Sequence, residues 1–225
     1  MKKNIIVTID GPSGSGKGTV AKAVAKRLGL SYLDTGAMYR AVALSAFRKG
    51  IPFDDDEKLN ELISGIRIGF REEGNSGQRV FLNGEDVTDE IRVPHISRLS
   101  SDIATKGVVR LHLKRMQREI GKERNIVAEG RDMGTYVFPD ADFKFYIDAA
   151  LDERARRRWL QLKESGIEAN FEEVKREIEI RDKQDKERTE SPLHPASDAV
   201  IIDTTNLEAG EVVERIVKII VVPRG

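Results

Sequence analysis

A mixed α/β fold, with a parallel sheet core covered by helices on both faces, is the class this sequence predicts, and three observations predict it. Short β-branched apolar runs alternate with helical stretches along the 225 residues. The first apolar run leads into a glycine-rich loop that opens a helix. One internal segment breaks the alternation with period-two patterning around an Asn-Gly turn, the mark of a small inserted antiparallel sheet.

Residues 5–9 (IIVTI) read as a strand buried on both faces. Thr19–Leu28 reads as a helix with Val20, Val24 and Leu28 on one stripe, ended by Gly29. A second strand is expected at 31–33, and a helix over about 37–48 closed by Gly50 and Pro52. Residues 66–71 and 78–82 alternate as strands, with Asn83-Gly84 as the hairpin turn. They place an insertion at about 64–92 with flanking helices. Further strands are expected at 126–128, 143–147 and 199–202. Charged helices are expected at 152–164 and 171–188, and an apolar one over about 208–220. No repeat or low-complexity tract interrupts this order, so the expected organisation is one domain over 1–225. It would hold the insertion and a helical lid at about 150–166.

Composition narrows the function classes. Thirty-eight basic and 38 acidic side chains cancel to a net charge of zero, which argues against a global field for nucleic acid or anionic lipid. Cysteine is absent, so disulfides, Cys-zinc sites and thiol nucleophiles are excluded, and the three histidines have no metal-ligand spacing. No stretch approaches the ~20 apolar residues of a membrane span, and the N-terminal run stops at Asp10, too short for a signal peptide. A cytoplasmic, monomeric protein without membrane or nucleic-acid partners is the expectation.

The strongest motif is GPSGSGKGT: Gly11, Pro12, Ser13, Gly14, Ser15, Gly16, Lys17, Gly18 and Thr19. Strand, loop and helix in that order make a P-loop, whose amides cradle phosphate oxygens at a helix N-terminus while the lysine bridges the outer phosphates. Here Gly18 stands where a hydroxyl residue commonly follows the lysine, and Thr19 comes next. A glycine-rich turn without a ligand is the bland alternative. The motif does not by itself separate a kinase from a switch or motor.

Four further clusters bear on that choice. LDTGAMYR (33–40) and EGRDMGT (129–135) follow expected strands, so Asp34, Thr35, Arg131 and Asp132 fall at strand C-terminal ends, where open parallel sheets bind ligands. Asp34 and Thr35 read equally as helix caps, and Arg131–Asp132 as a surface ion pair. Arg154, Arg156, Arg157 and Arg158 crowd one stretch beside Asp152 and Glu153. A solvated face is possible, yet two acids cannot pair four arginines, and guanidiniums suit phosphate. Arg181, Asp185 and Arg188 fall at i, i+4 and i+7 on one helix face. The pattern alone favours an exposed salt-bridge ladder there.

With GPSGSGKGT, LDTGAMYR, EGRDMGTYVFPDA, ERARRR and RDxxDxxR in order over nearly the whole chain, the sequence resembles the bacterial cytidylate kinases, P-loop kinases of nucleoside monophosphates. The resemblance implies transfer of the γ-phosphoryl of ATP to CMP or dCMP, with Mg²⁺. It implies that Arg40 and Arg131 hold the acceptor phosphate. Thr35, Arg110, Asp132 and Arg188 would surround the base, and Ser101, Arg181 and Asp185 would contact the sugar. Lys17, Arg154, Arg157 and Arg158 would serve the transferred group. Thr35 replaces the serine expected at its position. Thr19 is the candidate metal contact, with Asp34 behind it; no acid stands out as the usual metal-side carboxylate of P-loop proteins. Other readings are a kinase of UMP or another small acceptor, and a nucleotide-dependent ATPase or switch.

Overall fold

A computed structural model describes residues 4–73 and 77–221. In chain order the elements begin with β1 (Ile6–Asp10), α1 (Lys17–Leu28), β2 (Ser31–Asp34), α2 (Thr35–Arg48) and α3 (Asp56–Ser64). Next come β3 (Ile68–Glu73), β4 (Gly77–Leu82), β5 (Glu85–Asp86), α4 (Pro94–Ile103) and α5 (Gly107–Glu123). The chain continues with β6 (Ile126–Gly130), a π turn at Met133–Val137, β7 (Phe143–Asp148), α6 (Leu151–Glu164) and α7 (Phe171–Glu187). It closes with β8 (Val200–Asp203) and α8 (Ala209–Val221).

These elements cluster into two compact units, one of the residues up to Asp34 with those from Ile120 onward, the other Thr35–Glu119. The first unit holds a five-stranded sheet in the order β2-β6-β1-β7-β8. Every pairing is parallel. The register aligns the strand ends: Asp10 lies opposite Gly130 and Tyr146, and Asp34 opposite Glu129. β1 is central and buried, and Val7 and Ile9, two residues apart and so on one face, join Val20, Val24, Val127, Phe145, Ile147 and Ile216 in one core. A second cluster, Ala155, Leu162, Val174 and Ile178 with Trp159 and Phe171, joins α6 to α7.

The second unit holds the antiparallel sheet β3-β4-β5 with α2, α3, α4 and most of α5. Asn83 and Gly84 both take positive φ (52° and 91°), as the Asn-Gly pair requires for a tight turn between β4 and β5. Arg48 at the end of α2 makes a fork to Glu85 at 2.8 Å from each nitrogen and reaches Glu90. The α/β class with its small antiparallel sheet is therefore as the sequence predicts. The differences are local. α1 begins at Lys17, two residues earlier than its apolar stripe suggests, because the P-loop itself turns into the helix. α2 begins at Thr35, which lies inside the helix. The π turn after β6 has no sequence period to announce it. Among the described residues, no helix is long and apolar enough to cross a membrane.

Candidate active site

The phosphate loop joins the end of β1 to α1. Two of its glycines are forced by neighbours. A Cβ on Gly11 would stand 2.0 Å from the carbonyl oxygen of Ile147, and one on Gly14 would stand 2.7 Å from that of Arg154. The loop thus threads between β7 and α6 with no room for side chains. Lys17 is only 9% exposed, and its Nζ donates to the carbonyl of Pro12 at 3.0 Å. Burial, and then the charge of Arg131, lower its pKa to about 7, with Glu129 pulling the other way. Ser15 Oγ is buried without a hydrogen-bond partner among the described residues. A polar loop with a desolvated cation and an unsatisfied hydroxyl is chemically matched to phosphate oxygens.

Around it stands a buried ion network built from two separated segments, the end of β6 and α7. Arg131 Nε donates to Asp185 Oδ2 at 2.8 Å. Arg188 lies 3.5 Å from the other Asp185 oxygen and 3.7 Å from Asp132. Arg188 Nε also donates to the Ser191 carbonyl at 2.7 Å. Burial opposes the charge on Asp185, yet Arg131, Arg181 and Arg188 together hold its carboxyl below the usual range. Arg181 is near enough for its charge to depress the Lys17 pKa too. The exposed ladder that the pattern of α7 alone favours is therefore wrong: Asp185 is buried, because this face of α7 meets the β6 end and its loop instead of water. The surface-pair reading of Arg131–Asp132 falls for the same reason.

The arginines of α6 divide. Arg154 is buried and braces the phosphate loop, donating to the carbonyls of Ala149 (2.9 Å) and Ser13 (3.0 Å) and to Asp182 on α7 (2.5 Å). Arg157 donates to Glu153, to the carbonyl of Ser15 (3.3 Å), and to the hydroxyl and carbonyl of Thr204 (3.0 and 2.6 Å). Its Nη1 lies 3.7 Å from where a Gly16 Cβ would be, so it flanks the loop that Lys17 closes. Arg156 points outward to Glu153, and Arg158 to Gln161 on its own helix. Thr19 is exposed on the first turn of α1.

The second unit carries the other residues singled out in the sequence. Thr35 is buried at the start of α2, with Arg40 half-buried one turn on. Arg110, 2% exposed, donates to the Ala104 carbonyl at 3.1 Å, and its guanidinium lies 5.9 Å from the centre of the Tyr39 ring. A cation buried this deeply in a helical unit is costly unless acceptors surround it, and the Ala104 carbonyl and the Tyr39 ring face are among its surroundings. Ser101 turns its hydroxyl toward the Ser97 carbonyl at 3.4 Å, while the neighbouring Ser100 is buried with a shorter bond, 2.7 Å, to the same oxygen.

A profile of the cytidylate kinases matches residues 7–221. The chain belongs to the cytidylate kinase family. A cytidylate kinase of Geobacter sulfurreducens is 48% identical over 219 residues, covering 97% of this chain and 94% of that one. One from Caldanaerobacter subterraneus subsp. tengcongensis is 49% identical over 210 residues, covering 93% and 92%. The crystal structure of an uncharacterized protein from Eubacterium ventriosum aligns with a TM-score of 0.56 over 98% of this chain and 100% of that one; at 14% identity this likeness shows the fold alone.

The sequence assigns no role to four groups at the site. Glu129 lies inside a motif it singled out, yet only the structure shows its carboxylate 3.4 Å from the Cβ position of Gly18, accepting from the Tyr32 hydroxyl at 3.2 Å. Asp10, Asp182 and Thr204 carry no local signal, since each acts through a partner far along the chain.

Proposed function

We propose that this chain transfers the γ-phosphoryl group of ATP to CMP or dCMP, giving CDP or dCDP. The observation that carries this reading is the buried network of Arg131, Asp132, Asp185 and Arg188 in the same unit as the Lys17 loop. It combines a carboxylate suited to an exocyclic amine with guanidiniums suited to ring acceptors and phosphate. Cytosine presents an amino donor at N4 beside acceptors at N3 and O2. The Asp132 carboxylate accepts from that amine and repels the O4 of uracil, and Arg188 donates to a ring acceptor, with Arg110 added to the base contacts by the motif match. Rejection of uracil then comes from buried groups left unpaired. Arg40 and Arg131 hold the acceptor phosphate, Thr35 completes the base contacts, and Ser101, Arg181 and Asp185 serve the sugar, as the motif match implies.

The chemistry needs no covalent intermediate. A phosphate oxygen of CMP, already anionic at neutral pH, attacks the γ-phosphorus, and the bond to the bridging oxygen of ADP breaks. The protein's work is alignment of two anions, neutralisation of their repulsion and exclusion of water. Lys17, Arg131 and Arg157 supply that charge, Arg154 keeps the loop in place, and Arg158 is the outermost cation of the α6 lid. Mg²⁺ fits this site as an ion that keeps phosphate and water ligands. The oxygens on offer are Thr19 and the Glu129 carboxylate beside Gly18, with Asp34 opposite Glu129 in the sheet. When bound it neutralises charge on the β- and γ-phosphates.

The test is a coupled assay of ATP with CMP, dCMP, UMP and AMP, run beside Asp132→Asn. The expected result is turnover of CMP and dCMP well above UMP, with the CMP-over-UMP preference reduced at least about tenfold in the variant. Equal turnover of UMP by the unaltered protein would reject the base assignment. ATP hydrolysis without a phosphorylated nucleotide would reject the kinase.

A further inference from the structure

Asp10 ends β1, one residue before the phosphate loop, and the mechanism above does not use it. It is 5% exposed. Its two carboxylate oxygens each accept one backbone N–H: Oδ1 from Met133 at 2.9 Å and Oδ2 from Gly134 at 2.8 Å. Those amides open the π turn Met133–Val137, where the N–H groups of Val137 and Phe138 return to the carbonyls of Asp132 and Met133. The first amides of any helical turn have no acceptor within it, so they need one from outside. Single π turns are frequent at functional sites. Gly134 is pressed against β1: a Cβ there would stand 2.9 Å from Thr8 Oγ1 and 3.4 Å from Asp10 Oδ2. The segment that follows Arg131 and Asp132 therefore hangs on one carboxylate of the central strand.

Burial pushes the Asp10 carboxyl up to about 7, against the pull of the two amides. The ionised form offers a full acceptor oxygen to each N–H group, whereas a protonated carboxyl turns one of the two into a hydroxyl, a weaker acceptor. An asparagine would present its own NH₂ to one of them.

We propose that Asp10 is a positioning residue for recognition of the acceptor base. Its carboxylate clamps the Met133 and Gly134 amides and so sets the backbone from which Asp132 is presented. The inference rests on the base-binding role given to Asp132 above, and two readouts separate the two ideas. The first is amide hydrogen exchange by NMR on the substrate-free full chain. In Asp10→Asn the Met133 and Gly134 amides should exchange at least about tenfold faster, while Val24 in α1 keeps its rate. The second is kinetic. Asp10→Asn should raise the KM for CMP about tenfold with kcat at saturation changed less than about threefold, and should lower the CMP-over-UMP preference. Combined with Asp132→Asn it should lower that preference no further, since both act through one contact. Unchanged exchange at both amides, or additive loss in the double variant, overturns the proposal. Inactivity of the unaltered protein on CMP would sink the functional reading and leave the exchange result to decide the clamp. If Asp10→Asn does not fold, Asp10→Glu, which keeps the charge and displaces the oxygens by one methylene, must show the same faster exchange and raised KM, or the proposal fails.

Discussion

The two charged helices α6 and α7 look alike in sequence and behave differently in the fold. Along α7, Arg181, Asp185 and Arg188 recur at i, i+4 and i+7, so the helix carries all three to one side, and that side is buried against Arg131. Along α6, the arginines are nearly consecutive, and each residue is turned about 100° from the one before, so they spread around the helix. Arg154 goes inward to the phosphate loop, Arg157 lies at its edge, and Arg156 faces water. Spacing decides which cations can act together; a dense run of charge mostly wastes some of its members on solvent. In this geometry α7 supplies a buried ion network, and α6 supplies Arg154 as a brace with Arg157 at the edge of the loop.

That contrast can be broken most severely at Asp185. Replacing it with alanine leaves Arg131 and Arg188 buried without their shared carboxylate. The expected loss is about 3–5 kcal/mol, read as a fall in thermal unfolding temperature and a collapse of kcat/KM for CMP. A variant with unchanged melting and activity would mean the α7 face is dispensable. Next in size is Arg157→Ala, expected to lower kcat about a hundredfold while CMP affinity, by titration calorimetry, moves less than about threefold. A reversed pattern, with affinity lost and turnover kept, would assign Arg157 to acceptor binding.

Acid–base behaviour sharpens the comparison from the side of the loop. Burial and the charge of Arg131 lower the Lys17 pKa to about 7. A bound triphosphate favours the charged form. Above that pH binding must therefore take up a proton, and the dissociation constant of a non-hydrolysable ATP analogue should rise by up to about tenfold per unit, with proton uptake visible as buffer-dependent binding heat. A flat profile between pH 7 and 9 would show that Lys17 is already charged before the analogue binds. The smallest effect is expected at Arg156, whose bonds to Glu153 are on the surface. Arg156→Ala should change kcat/KM by less than about twofold. A large loss would return the whole α6 run to the site.

The chain's order of strands and helices, its P-loop and its Asn-Gly turn were all determined by residues close together in sequence. Strand alternation, a glycine where φ is positive and a lysine at a helix start are local requirements, and the residues themselves state them. The family motifs likewise named Arg131, Asp132, Asp185 and Arg188, but assigned them separately to the acceptor phosphate, the base and the sugar. Tertiary structure alone decided that these side chains meet in a buried network, and that α7 turns its charged face inward. It also decided the partners of the loop: Glu129 with Tyr32, 97 residues apart, Asp10 with Met133, 123 apart, and Thr204 with Ser15, 189 apart. No period or spacing encodes a contact made by packing of distant segments. Whether a charge is solvated or buried depends on what the rest of the chain lays over it.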